Sequence, residues 1–390
     1  MLTQPLADAI AEAEKLITGA PHVRDEADLI EGFDYLAGSI RASLQLAWAY
    51  ERDFPYFVQS TGPYTKMGLD NPDTLYYHSY LRDDAEYVVT GRRGTTADLS
   101  FQILNGDYSP VDVPDSLAAF DDRAFDIDGV SGEFEIRFGP SGPSGASGLS
   151  KADRNYFTLG KGSAMLVVRE VYSDWVREER GSIRIRRAGN EGKAPPPLTH
   201  ERIAKRYGVA GKILLSRLKT FIAFPEWFYL KLPVNTLTEP RLTPGGLASQ
   251  YSSVGHYELE PDQAMIVTVP FAKDVPYQGI QLGSMWYISL DYINHQTSLT
   301  AAQAHIDPDG MMRFVISERD PRHPNWLETL GHRRGYVQLR WQRLSRPLTK
   351  QDGPSVEIVP VSSVEGMGTE HDYRARIAAR QTAVAKRMLG

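Results

Sequence analysis

Three stretches of this chain gather side chains able to move a proton or hold an oxygenated ligand. The richest is Trp286-Tyr287-Ile288-Ser289-Leu290-Asp291-Tyr292-Ile293-Asn294-His295-Gln296. Read as a strand, its period of two sends Trp286, Ile288 and Leu290 to an apolar face and Tyr287, Ser289 and Asp291 to a polar one. The polar set runs on past the strand end through Tyr292, Asn294 and His295. An imidazole takes or gives a proton near neutral pH, and a carboxylate beside it can orient it. We therefore expect His295 as general base and Asp291 as its orienter, with Tyr287, Tyr292, Asn294 and Trp286 around the ligand. The alternative is a solvated face with a hydrogen-bonded loop.

The second stretch, Pro324 to Gly335, offers His332 as the acid, Trp326 as a pocket wall and Arg334 as a partner for a carboxylate or phenolate. Its plainer reading is a packed loop anchored by Trp326. The third, Lys66 to His78, delivers a turn rich in Asp and Asn into a Tyr-rich strand. Such side chains bond the local backbone, which is the structural reading. On the functional one, Tyr76 and His78 are alternate residues on one strand face, turned to a ligand with Lys66 and Asn71 beside them.

Other chemistries find little support. Without cysteine there is no thiolate nucleophile, disulfide or cysteine-ligated metal. Neither a G-x-G-x-x-G nor a Walker loop is present, and H-E-x-x-H is missing. His305-Ile306-Asp307 has the H-x-D spacing of an iron site that His323 or His332 would complete, but it runs into the turn Asp307-Pro308-Asp309-Gly310, where Asp307 reads as a cap. The neighbouring carboxylates Asp83-Asp84, Asp121-Asp122 and Glu178-Glu179 would point to opposite faces of a strand or meet solvent, so they make poor acid–base pairs. No metal and no organic cofactor is expected.

The elements that must position these residues are mostly strands. Short runs such as Thr74 to Leu81, Asp98 to Leu104, Gly132 to Phe138, Ile280 to Leu290, Met311 to Glu318 and Tyr336 to Leu344 lie between Gly- and Pro-rich turns, with little βαβ alternation. This predicts a mainly β chain with helical additions, an antiparallel β-sandwich or jelly-roll arrangement, as one sandwich or two packed together. Helical spacing marks two stretches before residue 55, the second from Glu31 to Phe54, then His200 to about Phe224. A basic amphipathic helix from Glu370 to Leu389, whose Arg and Lys read as a solvated face, closes the chain. The organisation expected is N-terminal helices over 1–60, a β-rich region over 61–192, a helical insertion with Pro-rich borders over 193–250, a second β region over 251–365 and a last helix over 366–390.

Composition sets the bounds. Across 390 residues, 42% are hydrophobic and 24% charged, enough for a real core. A net charge of −6 argues against a nucleic-acid binder. No segment approaches the roughly 20 apolar residues of a membrane span, and the N-terminus reads as an amphipathic helix rather than a signal peptide. A cytoplasmic protein with a small-molecule partner is the expectation. Twenty tyrosines and six tryptophans suit a pocket of mixed polarity or a protein interface.

In their order along the chain, D-N-P-D-T-L-Y at Asp70 to Tyr76, the Trp286 to Gln296 segment, and Asp309-Gly310 followed by P-N-W-L at Pro324 to Leu327 resemble the bacterial family known as domain of unknown function 1214. Many of its members follow N-W-L with a proline-containing turn; this chain has Glu328-Thr329-Leu330-Gly331-His332, which places the resemblance with a divergent subgroup. The resemblance implies a β-sandwich or jelly-roll fold and no particular reaction. The residues themselves favour an acid–base enzyme of lyase or hydratase type, free of cofactor, on a hydrophobic oxygenated molecule of aromatic, steroid or terpenoid kind. The alternatives are a carbohydrate- or lipid-binding sandwich without catalysis and an oligomeric structural protein.

Overall fold

Apolar residues at every second position build two separate cores. The computed structural model describes residues 1–106, 115–140, 154–242, 250–364 and 372–389. Much of the expected Gly139 to Gly148 loop, most of the Pro240 to Gly246 stretch, and Glu370 and His371 at the start of the expected last helix lie outside the described residues.

Two helices come first, α1 (Gln4–Thr18) and α2 (Glu26–Ala49). α2 starts earlier than its periodicity predicts, because the Asp25 carboxylate caps it by accepting from the Asp28 N–H. It also ends well before Pro55. Eight strands follow: β1 (Thr74–Tyr80), β2 (Tyr87–Arg92), β3 (Asp98–Leu104), β4 (Ser116–Asp121), β5 (Glu133–Gly139), β6 (Tyr156–Thr158), β7 (Met165–Val171) and β8 (Ser182–Arg187). They form the sheets β1-β7-β3-β4 and β6-β5-β2-β8. Phe101, Leu166 and Val168 of the first meet Val89, Ile136 and Phe138 of the second in one buried cluster. This is a sandwich.

Helix α3 (His200–Phe228) leads to β9 (Arg241–Leu242), β10 (Tyr251–Glu258), β11 (Gln263–Pro270), β12 (Tyr277–Gly283), β13 (Ser298–Thr300), β14 (Met311–Ser317), β15 (Trp326–Glu328), β16 (Arg334–Gln342) and β17 (Ser355–Pro360). Sheets β13-β12-β16-β10-β9 and β15-β14-β11-β17 make a second sandwich, whose core joins Ile280, Leu339 and Trp341 to Val267 and Phe314. The pairings are antiparallel except β5 with β6 and β14 with β15. The chain is thus mainly β, sandwich-like, with four helices.

α1, α2 and α3 pack on one another and on Leu104, Met165 and Val167, the outer face of the first sandwich. The last helix, α4 (Tyr373–Leu389), straps the seam between the sandwiches. Its arginines are not all solvated, as the sequence reading had them. Arg380 and Arg387 are buried over the Trp175 ring, with guanidinium carbons 4.4 Å and 4.3 Å from its centroid. Arg380 donates to Tyr292 O and Ser298 O, and Arg387 to Pro72 O. An amphipathic pattern cannot reveal this, because a guanidinium buries well where aromatic faces and carbonyls receive it. Among the described residues, no helix is long and apolar enough to cross a membrane.

A candidate ligand cavity between the sandwiches

Each sandwich has one outer face that does not meet solvent. On β1 and β7, Tyr77, Leu166 and Val168 pack toward the first core, so Tyr76, His78, Val167 and Arg169 point the other way. On β16, Val337, Leu339 and Trp341 fill the second core, and Gln338, Arg340 and Gln342 point away from it. These two outward sets line one cavity of about 160 Å³, closed by Arg217, Phe221 and Phe224 of α3. Gln338, Arg340 and Gln342 are all buried. The 67–71 segment and Tyr287 complete the wall. Gly68 has φ +65°, and a Cβ there would come within 2.8 Å of the Phe221 ring, so this turn needs glycine twice over.

The polar groups are tied to one another. Arg340 donates to Leu69 O at 2.6 Å, to Gln338 Oε1 at 2.8 Å and to Gln281 Oε1. A phenol chain reaches the same amide: Tyr287 donates to Tyr229 at 3.1 Å, and Tyr229 to Gln338 Oε1 at 3.3 Å. The Tyr76 hydroxyl accepts from the Asn71 N–H at 2.9 Å, which leaves its proton for another acceptor. Burial raises the Tyr76 phenol, so it is neutral at physiological pH. His78 Nδ1 lies 2.9 Å from Ser60 Oγ. Burial, then Arg169 and Arg217, hold its imidazole down to about 3, so it too is neutral. The Asp70 carboxylate accepts from the Ser289 N–H at 3.1 Å and its hydroxyl at 2.9 Å. Burial pushes it up and Lys66 draws it partly back.

The stretch Asp70 to Tyr76 is also the clasp that holds the sandwiches together. Asn71 Nδ2 donates to the Tyr277 hydroxyl at 2.9 Å. Asp73 accepts from Tyr277 at 2.7 Å and from Trp175 Nε1 at 2.6 Å. Both readings of this segment thus have a physical basis: the turn is structural, and the strand it feeds faces the cavity.

Of the residues expected from sequence, the structure brings Asn71, Tyr76, His78 and Tyr287 to this cavity. Lys66 lies behind it, donating to Ser289 O and Leu290 O and facing the Tyr292 ring. The expected strand Ile280 to Leu290 stops at Gly283, and a turn follows in which Tyr287 has φ +58°. The two-faced reading of 286–291 is therefore corrected. Trp286 is buried against α2, donates to Asp28 O at 2.7 Å and packs on His22. Asp291 caps the next turn, accepting from the Ile293 and Asn294 N–H groups, and does not bond His295. Instead, His295 Nδ1 sits 2.9 Å from Glu328 Oε2, which also accepts from Tyr373 of α4 at 2.6 Å.

Tyr292 is buried beside Trp175, Asn294 accepts from Gln381, and Trp326 packs on Tyr373. His332 pairs with Glu31 and Arg334 with Asp28, both joining α2 to the second sandwich. The trio His295, Asp291 and His332 is thus engaged in three separate contacts, and none of the three lines the cavity. His305 lies 3.4 Å from Asp307, which Arg313 holds at 2.5 Å. Among the described residues, no three His, Asp or Glu gather as a metal-binding group.

Sequence reasoning passed over Ser60, Asp70, Arg169, Arg217, Arg340 and the α3 phenylalanines. One signal was readable. Ile213, Leu214, Arg217, Leu218 and Phe221 form the buried stripe of α3, and a cation inside an apolar stripe asks for an explanation.

Fold and cavity together define a double-β-sandwich protein with a small-molecule-sized space at the seam. No family model matches the chain, and no curated protein matches it. Among solved structures it is similar to the crystal structure of an uncharacterized protein from Burkholderia cenocepacia, with a TM-score of 0.80 at 25% identity over 92% of this chain and 96% of that one. A weaker likeness, TM-score 0.46 at 13% identity, is to the VPA0106 protein from Vibrio parahaemolyticus, over 83% of this chain and 98% of that one.

Proposed function

We propose that this chain is a small-molecule enzyme of lyase or hydratase type, acting on a largely apolar, oxygenated compound held between its two sandwiches. The observation that supports it is one cavity wall carrying a buried neutral phenol, a neutral imidazole hydrogen-bonded to a hydroxyl, and a buried carboxylate, opposite an aromatic lid. Pockets between packed layers that mix apolar walls with a few convergent polar groups are the usual place for small ligands. In this reading the roles first expected for His295, Asp291 and His332 pass to Asp70, Tyr76 and His78. Asp70, its carboxyl raised by burial, takes the proton beside a carbonyl. Tyr76 gives its proton to the departing oxygen, and Arg340 steadies the charge that develops. His78 donates or accepts according to its tautomer with Ser60.

The second reading is a binding protein without turnover. The specific observation for it is His78 itself, held so low that it is a poor base at neutral pH.

A panel of single-ring aromatic and alicyclic alcohols, ketones and acids, screened by thermal shift and then followed by mass spectrometry after incubation, separates them. We expect a bound compound to change by gain or loss of water, and Tyr76→Phe and Asp70→Asn each to slow that change by about a hundredfold or more while still binding. His295→Ala should leave the rate within about twofold, since the imidazole is turned to Glu328 away from the cavity. Every binder recovered unchanged would overturn the enzymatic reading in favour of binding.

A further inference from the structure

Resting on the reading that the cavity holds a small molecule, we infer that its ligand is an anion, a carboxylate on a body about the size of one ring, and that Arg217 receives it. Arg217 is 1% exposed, and among the described residues nothing accepts from its Nε or Nη2. Those two nitrogens form one edge of the guanidinium, the edge that matches the two oxygens of a carboxylate side by side. A buried cation without a counter-charge is costly, because it has given up water and received nothing in exchange.

The surrounding charges sharpen the case. Among the described residues of the cavity wall, Arg217, Arg241 and Arg340 stand against one carboxylate, that of Asp70. Asp70 is directed to Ser289 and does not pair with Arg217, and Arg340, bonded to neutral oxygens, adds a further positive charge. His78 adds no positive charge, and among the described residues of the wall none supplies a negative charge to Arg217. Further buried acceptors and donors also lack partners among the described residues: Thr61 Oγ1, Thr74 Oγ1 and Gln342 Oε1. They offer sites for a second oxygen function.

Size and surface specify the rest of the ligand. A dry cavity of about 150 Å³ takes benzene, and this one is about 160 Å³. Leu46, Leu104, Met165 and Val167 on one side and Phe221 and Phe224 on the other suit a flat apolar body. A single-ring aromatic or alicyclic carboxylate fills both halves of this description.

The test uses the full chain and four probes: benzoate, benzyl alcohol, methyl benzoate and phenyl phosphate, each titrated by calorimetry. Benzoate should bind wild type at least about tenfold more tightly than either neutral probe or phenyl phosphate, and Arg217→Met should weaken benzoate by about ten- to a hundredfold while leaving benzyl alcohol unchanged. Ligand-free Arg217→Met should melt no lower than wild type, since it removes an unpaired buried charge. If that variant does not fold, Arg217→Lys, which keeps the charge and loses the planar edge, should still cost benzoate about tenfold. Equal binding of benzyl alcohol and benzoate, preference for phenyl phosphate, an Arg217 variant with wild-type benzoate affinity, or no binding by any probe would each overturn the inference. Benzoate or a related acid bound through Arg217 but recovered unchanged would leave it standing and remove the enzymatic reading. A neutral compound bound and converted would do the reverse.

Discussion

Asp98 shows how one residue can set the pH response of a fold. It is fully buried on β3, and neither carboxylate oxygen has a partner among the described residues. Burial, then Asp121 and Asp122, push its carboxyl up to about 7, against the pull of Arg343 and Arg93. Its folded value therefore lies above its unfolded one. The folded state holds the proton more tightly, so this group favours folding at low pH and loses that contribution as pH rises from about 4 through about 7. Asp98→Asn, neutral at every pH, should raise the melting temperature at pH 8 and change it little at pH 4. An equal shift at both would contradict the assignment. His78 acts in the opposite sense, its depressed imidazole removing stability as pH falls below its unfolded value toward about 3. Neither effect was legible in the sequence. Asp98, Ser100 and Gln102 alternate with Leu99, Phe101 and Ile103, the pattern of a strand with a wet face. Alternation separates two faces but does not say whether the polar one meets water or a second sandwich.

At the scale of elements, most strands and all four helices could be read from periodicity, while the segment around Trp286 could not. Its alternation imitates a strand, yet Gly283 and Ser284 let the chain turn, and the indole leaves the sheet for the helices. The docking is tight: a Cβ on Gly32 of α2 would come within 2.3 Å of Trp286 Cζ2. Gly32→Ala therefore sets two effects against each other. The helix gains about 1 kcal/mol of propensity, and overpacking costs about 1–3 kcal/mol, with the indole pinned by Asp28 O and unable to step aside. We expect a net loss of up to about 2 kcal/mol in urea unfolding, and a stabilised variant would show that the contact is looser than described. The last helix follows the same logic. Arg380 and Arg387 look like surface charge in the sequence and act as buried clamps, because their aromatic and carbonyl partners come from residues 72 to 298, far away in the chain.

For the whole molecule, the sandwich class followed from strand count and turn chemistry, but the seam did not. Which outer face meets which depends on contacts between residues more than 200 positions apart, such as Asn71 with Tyr277 and Asp70 with Ser289. That is why sequence reasoning could name Tyr76, His78, Asn71 and Tyr287 as ligand contacts without showing that they share one cavity, and gave the proton chemistry to His295, Asp291 and His332, which the fold directs elsewhere. Two of the segments singled out in the sequence have places in this picture: Asp70 to Tyr76 is the clasp, and Trp286 to Gln296 runs from the cavity wall to the contacts beneath α4.

The central claim is that ligand enters the seam and not the surface around His295. Hydrogen–deuterium exchange, with and without a saturating amount of the tightest binder from the single-ring panel, tests it directly. The account predicts slowed exchange at the C-terminal half of α3 and at the Leu69 and Asn71 amides, which bond Tyr287 O and the Tyr76 hydroxyl beside the cavity. Protection confined to 291–296 and 326–332, with α3 unaffected, would contradict it and return the site to His295 and His332.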